Sequence, residues 1–208
     1  METVVYLIRH SEKLRNNFYS EYNVREDWKA RDEKKPLSTR GEELAKEYLS
    51  NKEFDNVDVI YSSHYSRTIS TAKYLAERLD LNINIDSRLQ ERMHGDINLV
   101  SPQVFYYTQH HDFDYKLRNG ESINDTRKRM IEIFNEIIFT HHEKNIALFT
   151  HEHAIISFLT EFCEVGYSLE DELVLTYGDS NFVGFWNQPD GVKVTVLDNE
   201  VINIERIN

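Results

Sequence analysis

Short runs of largely apolar residues alternate with segments of helical periodicity along this chain. Residues 3–8, 57–63, 83–85 and 146–151 are typical of buried strands in a parallel sheet. Apolar positions between them recur at helical spacing and predict helices over residues 39–50, 66–79 and 123–139, with another helix after residue 151. Alternating strands and helices predict an α/β fold with a mainly parallel sheet.

Three further segments depart from this alternation. Residues 11–36 are charged and aromatic with little periodicity, which predicts a long loop or partial lid. Residues 93–120 are predicted to form an irregular insertion, and its aromatic residues are expected either to line a substrate pocket or to cap the core. Residues 181–198 predict a hairpin that turns at residues 189–191 and adds an antiparallel strand. No repeat or linker divides the chain, so we expect one domain over residues 1–208.

Polar side chains follow three of the predicted strands where each strand ends. Arg9 and His10 follow the first strand, Arg67 begins the helix after the second, and His151 follows the fourth. Glu91 lies shortly after the short third strand. Because the carboxyl ends of parallel strands meet at one edge of a sheet, we expect these side chains to converge there.

Two arginines, two histidines and one carboxyl group suit chemistry on a phosphate ester. Arginine presents a fork of donors that matches a phosphate dianion. A neutral imidazole can attack phosphorus and form a covalent intermediate. A carboxylic acid can protonate the departing oxygen and then activate water. This chemistry needs no metal, since the arginines supply the electrostatic stabilisation.

Composition narrows the possible partners. The 208 residues carry a net charge of −12, which argues against nucleic acid or an anionic membrane as a partner. The first residues resemble neither a signal peptide nor a membrane span, and the single cysteine, Cys163, excludes an intrachain disulfide. We therefore expect a cytoplasmic protein with a small phosphorylated substrate. The histidine pairs, including His151 and His153, lack the spacing of a metal site, so we expect no metal or cofactor.

Several stretches, in order along the chain, resemble the motifs of the histidine phosphatase superfamily. They are LIRHSE at 7–12, LSTRG at 37–41, SSHYSRTISTA at 62–72, LQERMHG at 89–95, GES at 120–122 and TH at 150–151.

This resemblance implies the phosphoglycerate mutase-like fold, with three α/β/α layers around a mainly parallel six-stranded sheet. It also implies His10 as the phosphorylated nucleophile and Glu91 as the general acid and base. The phosphate pocket implied by the family pattern consists of Arg9, Asn16, Arg67 and His151, with Ser11 and Arg92 as further candidates for substrate binding.

Two residues depart from the family pattern. Ser11 and Glu152 stand where the family usually has a glycine after each histidine. A side chain at Ser11 is expected to narrow the pocket floor or donate a hydrogen bond. Glu152 would repel a phosphate if it pointed into the pocket, and would be harmless within the first turn of its helix.

The resemblance leaves three activities open. Residues 96–119 lack the long insertion with paired arginines found in the mutases, and hold only Lys116 and Arg118 as basic residues, which favours a phosphatase. Glu91-Arg92 matches the mutase version of its motif, so a phosphoglycerate mutase is the alternative. A phosphoester-binding module without activity is a third possibility, to which Ser11 and Glu152 point.

Overall fold

A six-stranded sheet forms the centre of the computed structural model, which describes residues 2–14, 32–97, 100–183 and 187–207. Its strands are β1 (Thr3–Arg9), β2 (Val59–Ser62), β3 (Ile83–Ile85), β4 (Asn145–Thr150), β8 (Asp190–Leu197) and β9 (Glu200–Arg206). A smaller antiparallel sheet contains β5 (Glu164–Tyr167), β6 (Leu173–Tyr177) and β7 (Ser180–Val183).

The order of strands in the large sheet is β3-β2-β4-β1-β8-β9. The first four are parallel, and β8 and β9 continue the sheet in antiparallel pairing. Arg9 pairs in register with Thr150, and Ser62 with Phe149, so the carboxyl ends of β1, β2 and β4 meet at one edge. This edge is where the sequence predicted the convergence of polar side chains.

The strands are accompanied by the α-helices α1 (Thr39–Tyr48), α2 (Ser66–Leu79), α3 (Pro102–His111), α4 (Ile123–Thr140) and α5 (Glu152–Leu159). Alternate residues of β1 face opposite sides of the sheet. Val5 and Leu7 pack in a core with α4 and α5, while Tyr6 and Ile8 pack in a core with α2 and the chain after α1. The predicted three-layer α/β fold is therefore confirmed. No helix among the described residues is long and apolar enough to cross a membrane.

The hairpin predicted near the end of the chain does not turn at residues 189–191. Residues 190–191 already belong to β8, and the hairpin joins β8 to β9 through Asp198 and Asn199. These two residues have φ values of 52° and 67°, a left-handed conformation that Asp and Asn tolerate better than most residues. The strand predicted before residue 189 is β7, which pairs with β6 in the small sheet instead.

The segment 93–120 was predicted to be irregular, but it contains α3. Ser101 caps this helix by accepting the Val104 N–H, and Pro102 occupies its first turn. Phe105 is fully buried on the inner side of the helix. In the predicted loop or partial lid of residues 11–36, residues 15–31 lie outside the described residues, and so does the candidate phosphate ligand Asn16.

Candidate active site

His10 and His151 lie side by side at the carboxyl edge of the sheet. The His10 N–H donates to the Thr150 carbonyl across 3.1 Å, which extends the β1–β4 pairing by one residue. The two imidazole rings meet edge to face, with centroids 5.2 Å apart. Both histidines are buried, so the strand ends hold them rigidly next to each other.

The hydrogen bonds of His10 define which of its nitrogens is available. Its Nδ1 lies 2.7 Å from the carbonyl oxygen of Ser11, and a carbonyl can only accept, so Nδ1 carries the proton. Nε2 of the neutral ring is then unprotonated. Burial and the nearby Arg67 guanidinium hold the pKa of His10 well below 6.5, so the ring is neutral at neutral pH. His10 therefore presents a nucleophilic nitrogen.

Arg67 reaches the site from the first turn of α2 and orients His151. Its Nη2 lies 3.3 Å from Nδ1 of His151, and because a guanidinium only donates, Nδ1 is the acceptor. The His151 Nε2–H then donates to Oγ of Ser63 across 3.0 Å. Burial and Arg67 also lower the pKa of His151, which keeps this ring neutral. The guanidinium lies over the ring of Tyr65, 4.6 Å from its centroid.

Both arginines of the site contact a carboxylate. Arg9 Nη2 lies 2.7 Å from Oε2 of Glu152, in the first turn of α5. Arg67 Nη2 lies 3.1 Å from Oδ2 of Asp32, and its Nη1 donates to the Asp32 carbonyl across 2.6 Å. An anion that binds these arginines has to compete with the two acidic residues.

The loop that carries Glu91 is fixed by contacts to α4 and β4. Thr150 Oγ1 donates to the Leu89 carbonyl across 2.7 Å at the end of a 3-10 turn, Ser87–Leu89. Glu121 accepts the Met93 N–H across 2.9 Å and forms an ion pair with Arg129. These contacts hold the loop at the same edge of the sheet as the two histidines.

Close backbone packing further constrains this loop. Gly95 has a φ of 69°, and a Cβ atom there would lie 2.4 Å from the carbonyl oxygen of Arg118. Gly120, which precedes the capping box at the start of α4, packs against the backbone of His94 and Gly95. Glycine is therefore required at residue 95 for both its conformation and its contacts.

Glu91 makes two contacts within the site. Its Oε1 accepts the Arg92 N–H across 2.9 Å, and its Oε2 lies 3.5 Å from Nδ1 of His153. Burial alone would raise the pKa of Glu91, but the neighbouring His153, His151 and the Arg92 N–H hold it well below 4.5. Glu91 is therefore ionised at neutral pH.

Two predicted substrate-binding residues are placed differently from the others. Ser11 donates its hydroxyl proton to the Gly41 carbonyl across 2.7 Å, so this hydroxyl is directed into α1 rather than toward a phosphate. Arg92 is buried, and its Nε and Nη2 atoms have no hydrogen-bond partner in the part of the chain that the structure describes. The structure thus brings Arg9, His10, Arg67 and His151 together and places Glu91 in the same electrostatic environment.

Sequence reasoning missed several residues that shape the site. Asp32, Ser63 and the Glu121–Arg129 pair act through contacts between distant segments, and His153 was considered only as a metal ligand. The GES motif was the one signal available for Glu121. In the portion of the chain that the structure describes, no group of three or more His, Cys, Asp or Glu side chains is placed to hold a metal ion.

Comparisons with known proteins agree with this architecture. The model of the histidine phosphatase superfamily (branch 1) matches residues 5–194. A Hydrogenobacter thermophilus protein, provisionally named phosphoserine phosphatase 2, is 28% identical over 170 residues, covering 75% of this chain and 78% of the relative.

Solved structures show the same fold at low sequence identity. The structure of Mycobacterial hydrolase 1 aligns with a TM-score of 0.71 and 16% identity, covering 100% of this chain and 98% of that one. The mycobacterial glucosyl-3-phosphoglycerate phosphatase in complex with inorganic phosphate gives a TM-score of 0.69 and 17% identity, covering 99% and 95%.

Proposed function

Because this chain belongs to the histidine phosphatase superfamily (branch 1), we propose that it is a phosphomonoesterase that works through a phosphohistidine on His10. The observation that carries the proposal is the hydrogen bond from His10 Nδ1 to the Ser11 carbonyl, which leaves Nε2 unprotonated beside Arg67 and His151. The phosphatase names of the relatives support the same reaction class.

The first step transfers the phosphoryl group to the enzyme. Nε2 of His10 attacks phosphorus while the bond from phosphorus to the ester oxygen breaks. Arg9 and Arg67 bind the non-bridging oxygens and stabilise the charge of the transition state. Glu91, in its protonated form, donates a proton to the departing oxygen, so that an alcohol leaves.

The second step restores the enzyme. The Glu91 carboxylate removes a proton from a water molecule, whose oxygen attacks the phosphorus of the phosphohistidine. The bond between phosphorus and Nε2 of His10 breaks, and inorganic phosphate is released. The arginines retain the same role in this step, because they bind the same oxygens.

A panel of phosphomonoesters, assayed with and without EDTA, tests this function. We expect release of inorganic phosphate that is unaffected by EDTA and lost in His10→Ala. A matched control is His142→Ala, which removes an imidazole just beyond the end of α4, away from the proposed site. The control is expected to keep wild-type activity.

Other outcomes identify the alternatives. Full activity in His10→Ala would overturn the assignment of the nucleophile, and loss of activity in EDTA would overturn the metal-independent mechanism. Transfer of phosphate between the positions of phosphoglycerate, with little release, would identify a mutase. Binding of phosphate without turnover of any phosphomonoester would identify a binding module.

A further inference from the structure

His153 faces the carboxylate of Glu91 directly. It is the second residue of α5, and its Nδ1 lies 3.5 Å from Oε2 of Glu91. Both side chains are largely buried, being 18% and 15% exposed. Among the described residues Nδ1 has no hydrogen-bond partner, and the acceptor facing this nitrogen is the Glu91 carboxylate.

Aromatic packing fixes the orientation of the His153 ring. It stacks on the ring of Tyr106 from α3, with centroids 5.4 Å apart and planes 12° from parallel. The ring of His94 meets it edge to face at 5.2 Å. The ring is thereby held with Nδ1 toward Glu91, and only a short movement is needed to form a hydrogen bond.

The other ionisable groups around His153 and Glu91 are not suited to supply a proton to the Glu91 carboxylate. Burial lowers the pKa of both His94 and His110 to about 4, so both are neutral at neutral pH. Burial raises the pKa of Tyr106, which therefore stays protonated. Arg92 is a permanent cation, although burial lowers its pKa to about 10. Glu152, which begins the same helix, is paired with Arg9.

The proposed mechanism requires a proton that an ionised Glu91 does not hold. Glu91 must be protonated when the ester oxygen leaves and ionised when water attacks. A carboxylate held in its ionised form suits the second step but slows the first. A neighbouring base within reach of the carboxylate resolves this conflict, because it can pass a proton to Glu91 when the ester oxygen leaves and take one back after water attacks.

We infer that His153 is a positioning residue that stores the proton used by Glu91. This inference rests on the proposed function. In the resting pair of this scheme, His153 is an imidazolium with a proton on each ring nitrogen and Glu91 is ionised, so loss of the Nδ1 proton leaves a neutral ring protonated on Nε2. The proton moves to Glu91 and then to the ester oxygen as its bond to phosphorus breaks, which leaves both residues without it. In hydrolysis Glu91 takes a proton from water and returns it to His153, so one proton is delivered and one is recovered.

Leaving-group dependence tests this role in His153→Gln. An alkyl phosphate needs a proton on its departing oxygen, whereas p-nitrophenyl phosphate gives a phenolate that leaves without one. We expect kcat for the alkyl phosphate to fall by about 100-fold, within the range typical of acid–base catalysis, and kcat for the nitrophenyl ester to change by less than about threefold. The pH profile for the alkyl ester is expected to shift to lower pH, because the proton must then come from solution.

The controls separate this role from a structural one. His110→Gln removes a histidine that contacts the same Tyr106 ring but not Glu91, and it is expected to leave both activities unchanged. In His153→Ala, added imidazole is expected to restore turnover of the alkyl ester. An equal loss on both esters, or no loss on either, would overturn the inference while the proposed function stands. Absence of wild-type activity on both esters would overturn the proposed function and this inference with it.

Discussion

The ion pair between Arg9 and Glu152 is expected to weaken phosphate binding, and Glu152→Gln tests this. Nη2 and Oε2 are 2.7 Å apart, and both side chains are largely buried. With charge centres about 4 Å apart, an effective dielectric constant of about 20 gives a Coulomb energy of about 4 kcal/mol. Glutamine keeps an acceptor for Arg9 but removes the charge that competes with phosphate. Because the glutamine oxygen still accepts from Arg9, we expect only part of this energy as a net gain, about 1.4 kcal/mol, which is about tenfold tighter binding.

The assay is the inhibition constant of inorganic phosphate against hydrolysis of an aryl phosphate, checked by calorimetric titration at low and high salt. The matched control is Glu161→Gln, which removes the same charge from a partly exposed side chain paired with Arg127. We expect the control to bind phosphate as the wild type does. Unchanged or weaker binding in Glu152→Gln would refute the reasoning, because it would mean that Glu152 orients Arg9 more than it competes with the anion.

Three further predictions concern the fold and the nucleophile. Ser11→Gly removes the hydrogen bond to the Gly41 carbonyl, so it should lower the free energy of unfolding by about 1 kcal/mol in chemical denaturation while activity is retained. Gly95→Ala forces a Cβ against a backbone oxygen, so both thermal stability and kcat should fall, whereas normal values for both would contradict the required close approach. Because burial and Arg67 lower the pKa of His10, kcat/KM for an aryl phosphate should stay constant as the pH falls through 6.5, and a loss of rate centred there would contradict a neutral buried nucleophile.

The strands of the central sheet and the helices that cover it could be predicted because their buried positions form regular apolar patterns in the sequence. The helix over residues 66–79 and the strand over 83–85 have the bounds that the pattern predicted. β1 and β4 are apolar over nearly their whole length because helices cover both faces of the sheet. Their parallel register then places the following polar residues at one edge, so Arg9 and His151 could be predicted to meet.

The elements that were missed carry weaker local signals. β5 is four residues long and mostly exposed, and it forms only through pairing with β6. The helix α3 depends on the Ser101 cap and the burial of Phe105, in a segment without strong periodicity.

Contacts between distant segments also could not be predicted from the sequence. Asp32 lies in a charged stretch, and nothing in the sequence distinguishes it from neighbouring acids as the partner of Arg67. The contact of His153 with Glu91 likewise follows from the orientation of α5 against the loop of residues 91–95. The roles of individual site residues remain predictions.

Detection of the phosphoryl-enzyme tests the central claim most directly. The protein would be mixed with a phosphomonoester, quenched within one turnover at alkaline pH, where phosphohistidine survives, and its peptides analysed by mass spectrometry. The account predicts one phosphoryl group on His10, which decays on return to neutral pH with release of inorganic phosphate and is absent from His10→Ala. A phosphoryl group on another residue, or steady turnover by His10→Ala, would contradict the account.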